Sequence, residues 1–447
     1  MPQFRRSQSP SLHSAAGRLL ASSLLVAMLT ACNSSGNKLD DEHDHGDHHS
    51  DSLGRLAVSE LTVITVDEKP QNSTKRLHLL DLDDNSVLNS FTLSNDISAL
   101  YTSPGLRYVL ALQRTADQVS FIDGGLYQED HGDHLHDYAI APSLLGYSLS
   151  GAMPTHFESH DGHAALFFDG RAEPYATAGV TLLSDAGIGA SRREASLVLP
   201  RNMHGTAEPR GDYLLATYRA AEATDTTLPS QVELYQRNGD SYSFSERFDE
   251  PCPSLHGSYS SHDFSLFGCS DGVLVVEQDG DNFVASKIAN PDTLTAPARI
   301  GTLIGDSEQD RFIGIAGDRL FAIDPAAATL SEIDWRAGAE VTRIAHGYSP
   351  HGEHLLLLDS AGTLQLLDAA GDYSLLASLE LGITPVTGNA PQIVFNSSAE
   401  LAYVSDPAAK KIHVIDLEAA TASAIELDFT PSKLAWSGIA EHGEHDH

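Results

Sequence analysis

From Leu53 almost to its end, the chain alternates short apolar runs with turn-forming residues. Typical runs are residues 108–112, 164–168 and 355–358, each four or five residues long. Runs of this length are typical of β-strands, and we find no long amphipathic helical pattern. The pattern therefore predicts an all-β fold.

The apolar runs also repeat. One unit, an inner strand followed by apolar strands and Asp/Gly turns, aligns at seven starts, which are centred on Ala99, His156, His204, His256, Arg299, Arg343 and Gln392. Successive starts lie about 43 to 57 residues apart, the spacing of four-stranded propeller blades. An eighth inner-strand pattern, at residues 432–436, is not followed by outer strands. Residues 55–93, at the other end of the chain, contain candidates for the outer strands of that unit. We predict a single β-propeller of eight, alternatively seven, four-stranded blades, closed by pairing of the N- and C-terminal segments.

The N-terminus has the pattern of a targeting segment. Arg5, Arg6 and Arg18 precede an apolar run too short to span a membrane comfortably, and the run ends in Leu-Thr-Ala before Cys32. This ending is typical of a bacterial lipobox, so residues 1–31 are predicted to be a lipoprotein signal peptide and Cys32 the lipidated residue. The alternative is an ordinary signal peptide with a buried cysteine. Asn33 favours outer-membrane over inner-membrane sorting, on the periplasmic side of the cell envelope.

Residues 32–52 are polar, without apolar periodicity, and rich in His and Asp. They are predicted to form a disordered tether between the lipid and a propeller that spans residues 53–440. Residues 441–447 form a second His-rich segment, a C-terminal tail. Flexible histidines bind metal more weakly than preorganised ones, and those of the tether are His43, His45, His48 and His49.

Composition limits the partners. The net charge is −35, from 27 Lys and Arg against 62 Asp and Glu. Such a surface repels phosphate backbones and attracts cations, so nucleic acid is excluded as a partner. The excess of acid serves either solubility or the concentration of cations, and composition alone does not choose between them.

Two cysteines remain besides Cys32, namely Cys252 and Cys269. In an oxidising compartment an even pair favours a disulfide. The alternative is two free thiols that bind metal, although the CxxC spacing of zinc sites is missing.

Three histidines, His156, His204 and His256, occupy one register in consecutive repeats. The innermost strands of a propeller line its central channel, so equivalent positions converge on one axis. Three imidazoles with an open fourth position are typical of an exchangeable or catalytic zinc site. The alternative is that each histidine only satisfies a carbonyl at a strand end.

A second candidate site lies in the segment Glu-Asp-His-Gly-Asp-His-Leu-His of residues 129–136. Its imidazole and carboxylate donors suit zinc better than copper(I), which prefers sulfur. The predicted ligands are His131, Asp133, His134 and His136, and the alternative is a solvated acidic loop.

No P-loop, dinucleotide fingerprint or His-Glu-x-x-His pair is present. Residues 268–272 match Gly-x-Ser-x-Gly, but a strand-like run follows where a nucleophile elbow needs a helix. We therefore predict a hairpin turn there, no catalytic residues and no enzyme.

Together these residues resemble a known family, the periplasmic zinc metallochaperones of the AztD type. The resemblance rests on the His-rich segment 129–136, on Thr-His-Phe at 155–157, on Met-His-Gly at 203–205 and on the Cys-containing segments 252–257 and 267–272. It implies a β-propeller that binds Zn(II) and passes it to the zinc-binding protein of an ABC importer. The lipobox departs from this family.

Our first hypothesis is therefore an exported zinc metallochaperone that holds zinc on its loop and channel histidines and delivers it to such a partner. A second is a propeller scaffold for protein or glycan binding at the cell envelope, with incidental histidines. A third is a metalloenzyme.

Overall fold

The computed structural model describes residues 54–132 and 135–440, apart from the side chain of Asp130. Several predicted features lie outside the described residues: the signal peptide, Cys32, the tether with His43, His45, His48 and His49, the loop residues Asp133 and His134, and the tail 441–447. The described residues belong to one compact unit, which comprises Asp51–His447.

The described part is built from strands. Its helices are the five-residue α1, Asp185–Gly189, and a 3-10 turn at Arg114–Ala116. Within residues 54–132 and 135–440, no helix has the length and apolar character needed to cross a membrane. The all-β prediction is confirmed.

Within the described residues the strands form eight antiparallel groups of four, and a single parallel bridge between Ser196 and Ser241 joins the third group to the fourth. In chain order, the first four groups are β1 Arg55–Val66, β2 Lys69–Asp81 and β3 Val87–Thr92 with β34 Pro431–Ser437; β4 Ala99–Thr102, β5 Tyr108–Gln113 and β6 Gln118–Asp123 with β9 Ser143–Ser150; β10 Pro154–His160, β11 His163–Phe168, β12 Gly179–Leu183 and β13 Ala195–Val198; β14 Ala207–Arg210, β15 Tyr213–Tyr218, β16 Gln231–Asn238 and β17 Ser241–Arg247.

The other four groups follow without insertion. They are β18 Ser258–Ser260, β19 Phe264–Gly268, β20 Gly272–Asp279 and β21 Asn282–Ala289; β22 Thr302–Gly305, β23 Phe312–Ala316, β24 Arg319–Asp324 and β25 Thr329–Ile333; β26 Arg343–Tyr348, β27 His354–Asp359, β28 Thr363–Asp368 and β29 Leu375–Glu380; β30 Ile393–Phe395, β31 Leu401–Asp406, β32 Lys411–Asp416 and β33 Thr421–Glu426. The hairpin predicted at residues 268–272 is confirmed, since β19 turns directly into β20.

The last strand of the chain completes the first group. Strand β34 pairs antiparallel with β1, with Leu56 opposite Trp436, and both side chains are buried. The sequence pattern had left this group without an inner strand of its own, and β34 occupies that place.

The hydrophobic core lies between neighbouring groups. For example, Leu110 and Phe121 of the second group pack with Leu166 and Phe168 of the third. Each fully buried side chain of this kind stabilises the fold by about 1.5–3 kcal/mol. A group therefore depends on its neighbours to cover its apolar face, as in other repeat folds.

The first strands of successive groups lie against each other: β10 contacts β14, β14 contacts β18, and the series continues to β34, which contacts β4. Three of these strands begin a few residues after the starts that the sequence repeat predicted. They are β14, β18 and β22, which begin at Ala207, Ser258 and Thr302. In the case of β18, Gly257 has φ +74°, and a Cβ there would lie 2.8 Å from the Gly301 carbonyl oxygen. This left-handed residue delays the start of the strand.

Candidate metal centre

Strand β10 and the segments before β14 and β18 bring His156, His204 and His256 together. The ring centroids lie 5.1 Å apart for His156 and His204, 5.5 Å for His156 and His256, and 5.0 Å for His204 and His256. Each ring offers a nitrogen within 4.8 Å of a nitrogen of the other two. The prediction that these three residues converge is therefore correct in geometry.

The His204 ring is oriented by a buried carboxylate. Its Nδ1 lies 2.8 Å from Oδ2 of Asp169, the residue that follows β11. The same oxygen accepts a hydrogen bond of 2.6 Å from Nη2 of Arg114. An ionised carboxylate only accepts, so Nδ1 of His204 carries the hydrogen and Nε2 keeps a lone pair. Carboxylates in this position are typical partners of metal-binding histidines.

The His256 ring is oriented by backbone. Its Nδ1 lies 2.6 Å from the carbonyl oxygen of Gly301, which can only accept a hydrogen bond. Nδ1 therefore donates, and Nε2 of His256 also keeps its lone pair.

The two lone pairs face each other, because Nε2 of His204 and Nε2 of His256 are 3.1 Å apart. Neither nitrogen has a hydrogen to donate while both rings are neutral. Two nitrogen ligands of one tetrahedral zinc ion lie about 3.3 Å apart, given Zn–N bonds of about 2.05 Å. The observed pair matches that separation, and His156 stands beside both rings as a third donor.

The rings of His156 and His256 are kept neutral by their surroundings. Burial, with the neighbouring charges of His204 and His256 as smaller causes, lowers the pKa of His156 to about 4. Burial also lowers the pKa of His256. Neutral imidazole is the form that binds metal, so these two residues are available as ligands at neutral pH.

A disulfide borders the site. Cys252 and Cys269 are bonded, with their Cα atoms 4.9 Å apart. Both side chains are buried in the cluster that contains Leu255, the residue before His256. The disulfide prediction is confirmed in the structure, and thiol ligation by these cysteines is the alternative that drops out.

The second predicted site is a hairpin rather than an irregular loop. Strands β7 Leu126–Asp130 and β8 Leu135–Ala139 are inserted between β6 and β9, and Glu129 lies opposite His136. The segment that the sequence pattern gave as a loop is therefore partly strand, because residues 126–130 and 135–139 pair in register.

Two histidines meet near the tip of this hairpin. The rings of His131 and His136 are 4.8 Å apart in an edge-on arrangement. Nε2 of His131 lies 3.3 Å from the hydroxyl of Tyr138 and 4.0 Å from Oε2 of Glu129. The hairpin thus presents imidazole and carboxylate donors together.

The base of the hairpin is fixed to the body. The Arg55 guanidinium donates to the carbonyl oxygens of Gly124 and Ile140, the latter at 2.8 Å. Farther out, the Arg107 guanidinium stacks on the Tyr127 ring at 3.7 Å. The His-bearing tip is therefore attached to a rigid base.

A third group of donors comprises Glu353, His354 and Glu400. Nδ1 of His354 lies 3.8 Å from Oε2 of Glu400, and Glu353 is exposed. His354 is the first residue of β27.

Sequence reasoning missed the groups that orient the rings, namely Asp169, Arg114 and the Gly301 carbonyl. Asp169 follows two phenylalanines at the end of a strand and precedes a glycine, as a turn residue does. No spacing rule joins it to His204, because the two meet only when β11 lies beside the segment before β14.

The chain is 28% identical to the zinc chaperone AztD of Citrobacter koseri over 256 residues. This match covers 56% of the chain and 56% of that protein, so the chain spans about half the length of the curated relative it matches. The chain matches no protein-family profile.

Among solved structures, two of Citrobacter koseri AztD, one of them the apo form, align with a TM-score of 0.70 at 22% identity, covering 87% of this chain and 99% of theirs. The dihydro-heme d1 dehydrogenase NirN in complex with DHE aligns with a TM-score of 0.54 at 14% identity, covering 86% of this chain and 75% of that one. The resemblance to AztD-type proteins is confirmed, and the shared fold supports a β-propeller.

Proposed function

We propose that the protein is a zinc metallochaperone, a carrier rather than an enzyme, whose cargo binds to His156, His204 and His256. The observation that carries the proposal is the 3.1 Å approach of two Nε2 atoms whose rings are each oriented through Nδ1. Opposed lone pairs at this distance repel unless a proton or a metal cation lies between them. The 28% identity to a zinc chaperone supports zinc as that cation.

The tether serves capture, and the hairpin shares with the triad in holding zinc. His131, Asp133, His134 and His136 form the hairpin site, in which His131 and His136 are already adjacent. His43, His45, His48 and His49 form a weaker site on the tether. Zinc passes from the tether to the hairpin and the triad, because preorganised ligands lose less entropy on binding.

The finer architecture is part of the same proposal. The eight groups of four strands are eight blades of one closed propeller, and pairing of β34 with β1 closes the ring. Contacts between first strands run from β10 to β34 and on to β4, and β10 also contacts β5 of the second group, which supports closure. The triad then lies at one end of the central channel, where an ion has access.

The proposed location is the periplasmic side of the cell envelope, by preference at the outer membrane. Residues 1–31 are removed as a signal peptide, lipid on Cys32 anchors the chain, residues 32–52 form the tether, 53–440 the propeller and 441–447 the tail. The proposed partner is the zinc-binding protein of an ABC importer, which is the partner that the AztD-type resemblance implies. Delivery then starts from a membrane-attached donor.

The test is a zinc titration of the purified, lipid-free mature chain against a competing chelator. Replacing His156, His204 and His256 together with Gln should weaken the tight site by at least about 10-fold, or about 1.4 kcal/mol. Replacing His131, His134 and His136 together should likewise weaken tight binding by about 10-fold, because the hairpin shares in holding zinc. Deleting residues 40–51 should slow capture and transfer but leave at least one tight site.

The control is a chain in which the exposed His262 and the half-buried His163 are replaced with Gln, since neither lies with the triad. The proposal fails if deletion of the tether abolishes all tight binding while both triple variants retain it. Unchanged zinc binding in every variant would favour the hypothesis of a propeller scaffold with incidental histidines.

A further inference from the structure

Two glutamates follow the histidines along the same strands. Glu158 lies two residues after His156 in β10, and Glu208 lies four residues after His204 in β14. A strand rises about 3.3 Å per residue, so Glu158 lies about two residues farther along β10 than His156. Glu208 likewise lies farther along the chain than His204, which precedes β14. The sequence pattern singled out neither residue.

A line of hydroxyl groups connects the two carboxylates. The Thr206 hydroxyl hydrogen-bonds to Glu158 and lies 2.8 Å from Oγ of Ser258. The hydroxyls of Ser258 and Ser260 hydrogen-bond to Glu208, the latter at 2.8 Å. Glu158 and Glu208 are therefore ends of one polar network.

The hydroxyls also contact one another. Oγ of Ser260 is 2.7 Å from Oγ of Ser265. Ser260 donates its single hydrogen to Glu208, so Ser265 donates to Ser260. Neither hydroxyl therefore has a hydrogen left for a second carboxylate oxygen.

One carboxylate oxygen is buried without a partner. Glu208 is 1% exposed, and its Oε1 has no hydrogen bond, whereas its Oε2 accepts from Ser260. Burying a carboxylate oxygen without a partner is costly, so it points to a missing ligand with several coordination positions.

No basic side chain neutralises the pair. In the described part of the chain, neither glutamate makes an ion pair with Lys or Arg. The nearby Arg210 donates instead to Oε1 of Gln278 at 2.6 Å, and to the carbonyl oxygens of Ser261 and His262 at 2.6 and 2.5 Å. Its Nη1 also lies 3.3 Å from Nε2 of His160.

Three layers thus follow one another along β10 and β14: imidazoles, carboxylates, and then the guanidinium of Arg210 beside His160. Glu158 remains partly accessible, whereas Arg210 is 2% exposed. The fixed positive charge of Arg210 opposes the passage of a cation beyond the carboxylates.

We propose that Glu158 and Glu208, with the hydroxyls of Thr206, Ser258 and Ser260, form a second site that binds a divalent cation through oxygen. Carboxylate and hydroxyl oxygens suit manganese, magnesium and calcium, so this site differs in preference from the histidines. It does not depend on zinc being the cargo of the triad.

The test uses the purified full chain and manganese(II) as the probe, followed by electron paramagnetic resonance. Glu208→Gln keeps the shape of the side chain but removes its charge, so it should remove one bound manganese or weaken it at least about 10-fold. Glu158→Gln should have the same effect. The matched control is Glu332→Gln, an exposed carboxylate paired with Arg319, which should leave the count unchanged.

A second measurement keeps the test valid if a variant folds poorly. Crystals of the unsubstituted chain soaked in manganese should show anomalous scattering between Glu158 and Glu208. An empty position there, or equal manganese binding by the unsubstituted chain and a folded Glu208→Gln variant, overturns the proposal.

His204→Gln separates this site from the triad. It should weaken zinc binding while the manganese site remains. If the unsubstituted chain bound manganese but no zinc, the result would contradict the proposed function alone. If the unsubstituted chain bound zinc but no manganese, the result would contradict this second site and leave the carrier function intact.

Discussion

The Nε2 atoms of His204 and His256 lie 3.1 Å apart, although neither carries a hydrogen when its ring is neutral. The Asp169 carboxylate and the Gly301 carbonyl each hold the opposite nitrogen, Nδ1, of one ring. The fold thus sets the tautomer of both rings before an ion arrives, which reduces the cost of ordering them on binding.

Asp169→Asn should lower zinc affinity by about 10- to 100-fold, because the amide can no longer supply the negative charge that holds Nδ1–H of His204. A chelator-competition titration of a chain without residues 40–51 measures this loss. The control is Asp406→Asn, which removes a similar partner from His413, 3.5 Å away. An equal loss in both variants would contradict an orienting role for Asp169.

Removing the disulfide by Cys252→Ala and Cys269→Ala should lower the free energy of unfolding by about 3 kcal/mol. The bond closes a loop with a sequence separation of 17 residues, which restricts the unfolded chain. Urea denaturation measures the loss. Mass analysis of non-reduced digests checks the bond itself, and two free thiols in protein made in the periplasm would refute it.

Cys32→Ser should release the protein from membrane fractions or leave it unprocessed, because the serine has no thiol to accept lipid. Fractionation and intact-mass measurement follow the change, and Ser34→Ala serves as the control. Normal processing with equal membrane retention would show that Cys32 is not the anchor.

Stability should fall with acid through His346. Burial, and secondarily the charge of Arg343, lowers the pKa of His346 in the folded chain to about 4, from 6.5. The unfolded chain binds the proton first, so the free energy of unfolding is unaffected above pH 6.5 and falls as the pH drops towards 4. The loss reaches about 3 kcal/mol, from 2.5 pKa units at about 1.36 kcal/mol each.

Urea denaturation between pH 4 and 7 in the presence of a chelator measures this slope. His346→Asn leaves an oxygen near the position of Nδ1, which accepts from Arg343 at 2.6 Å, and should flatten the slope. His262→Asn at an exposed position should not flatten it. If the dependence of the unfolding free energy on pH were unchanged in His346→Asn, the acid sensitivity would arise from other groups.

Much of the fold follows from local pattern. Runs such as residues 355–358 are buried strands because both faces of the sheet are covered, and their spacing predicts the repeat. The convergence of His156, His204 and His256 was also predictable, since a repeat places equivalent positions together. The sequence pattern placed the start of β18 too early, because Gly257 adopts a left-handed conformation that composition does not reveal.

The partners of the histidines were not predictable in the same way. Asp169, Gly301 and Glu208 come from strand ends and loops of different groups, and only packing brings them to the rings and hydroxyls they contact. Glu208 lies between apolar residues in a short strand, so its pattern is that of an ordinary exposed glutamate. Its burial depends on the neighbouring strand β18.

Strand β34 is the fourth strand of the group that contains β1. Leu56 of β1 therefore pairs with Trp436, which is synthesised about 380 residues later. Until then β1 is an unpaired edge with open hydrogen-bonding groups, a template for joining other chains. The first group to be synthesised is therefore the last to be completed. A chain cut short before Ser437 keeps that edge open, and synthesis or export that stops early should yield aggregates rather than a smaller folded protein.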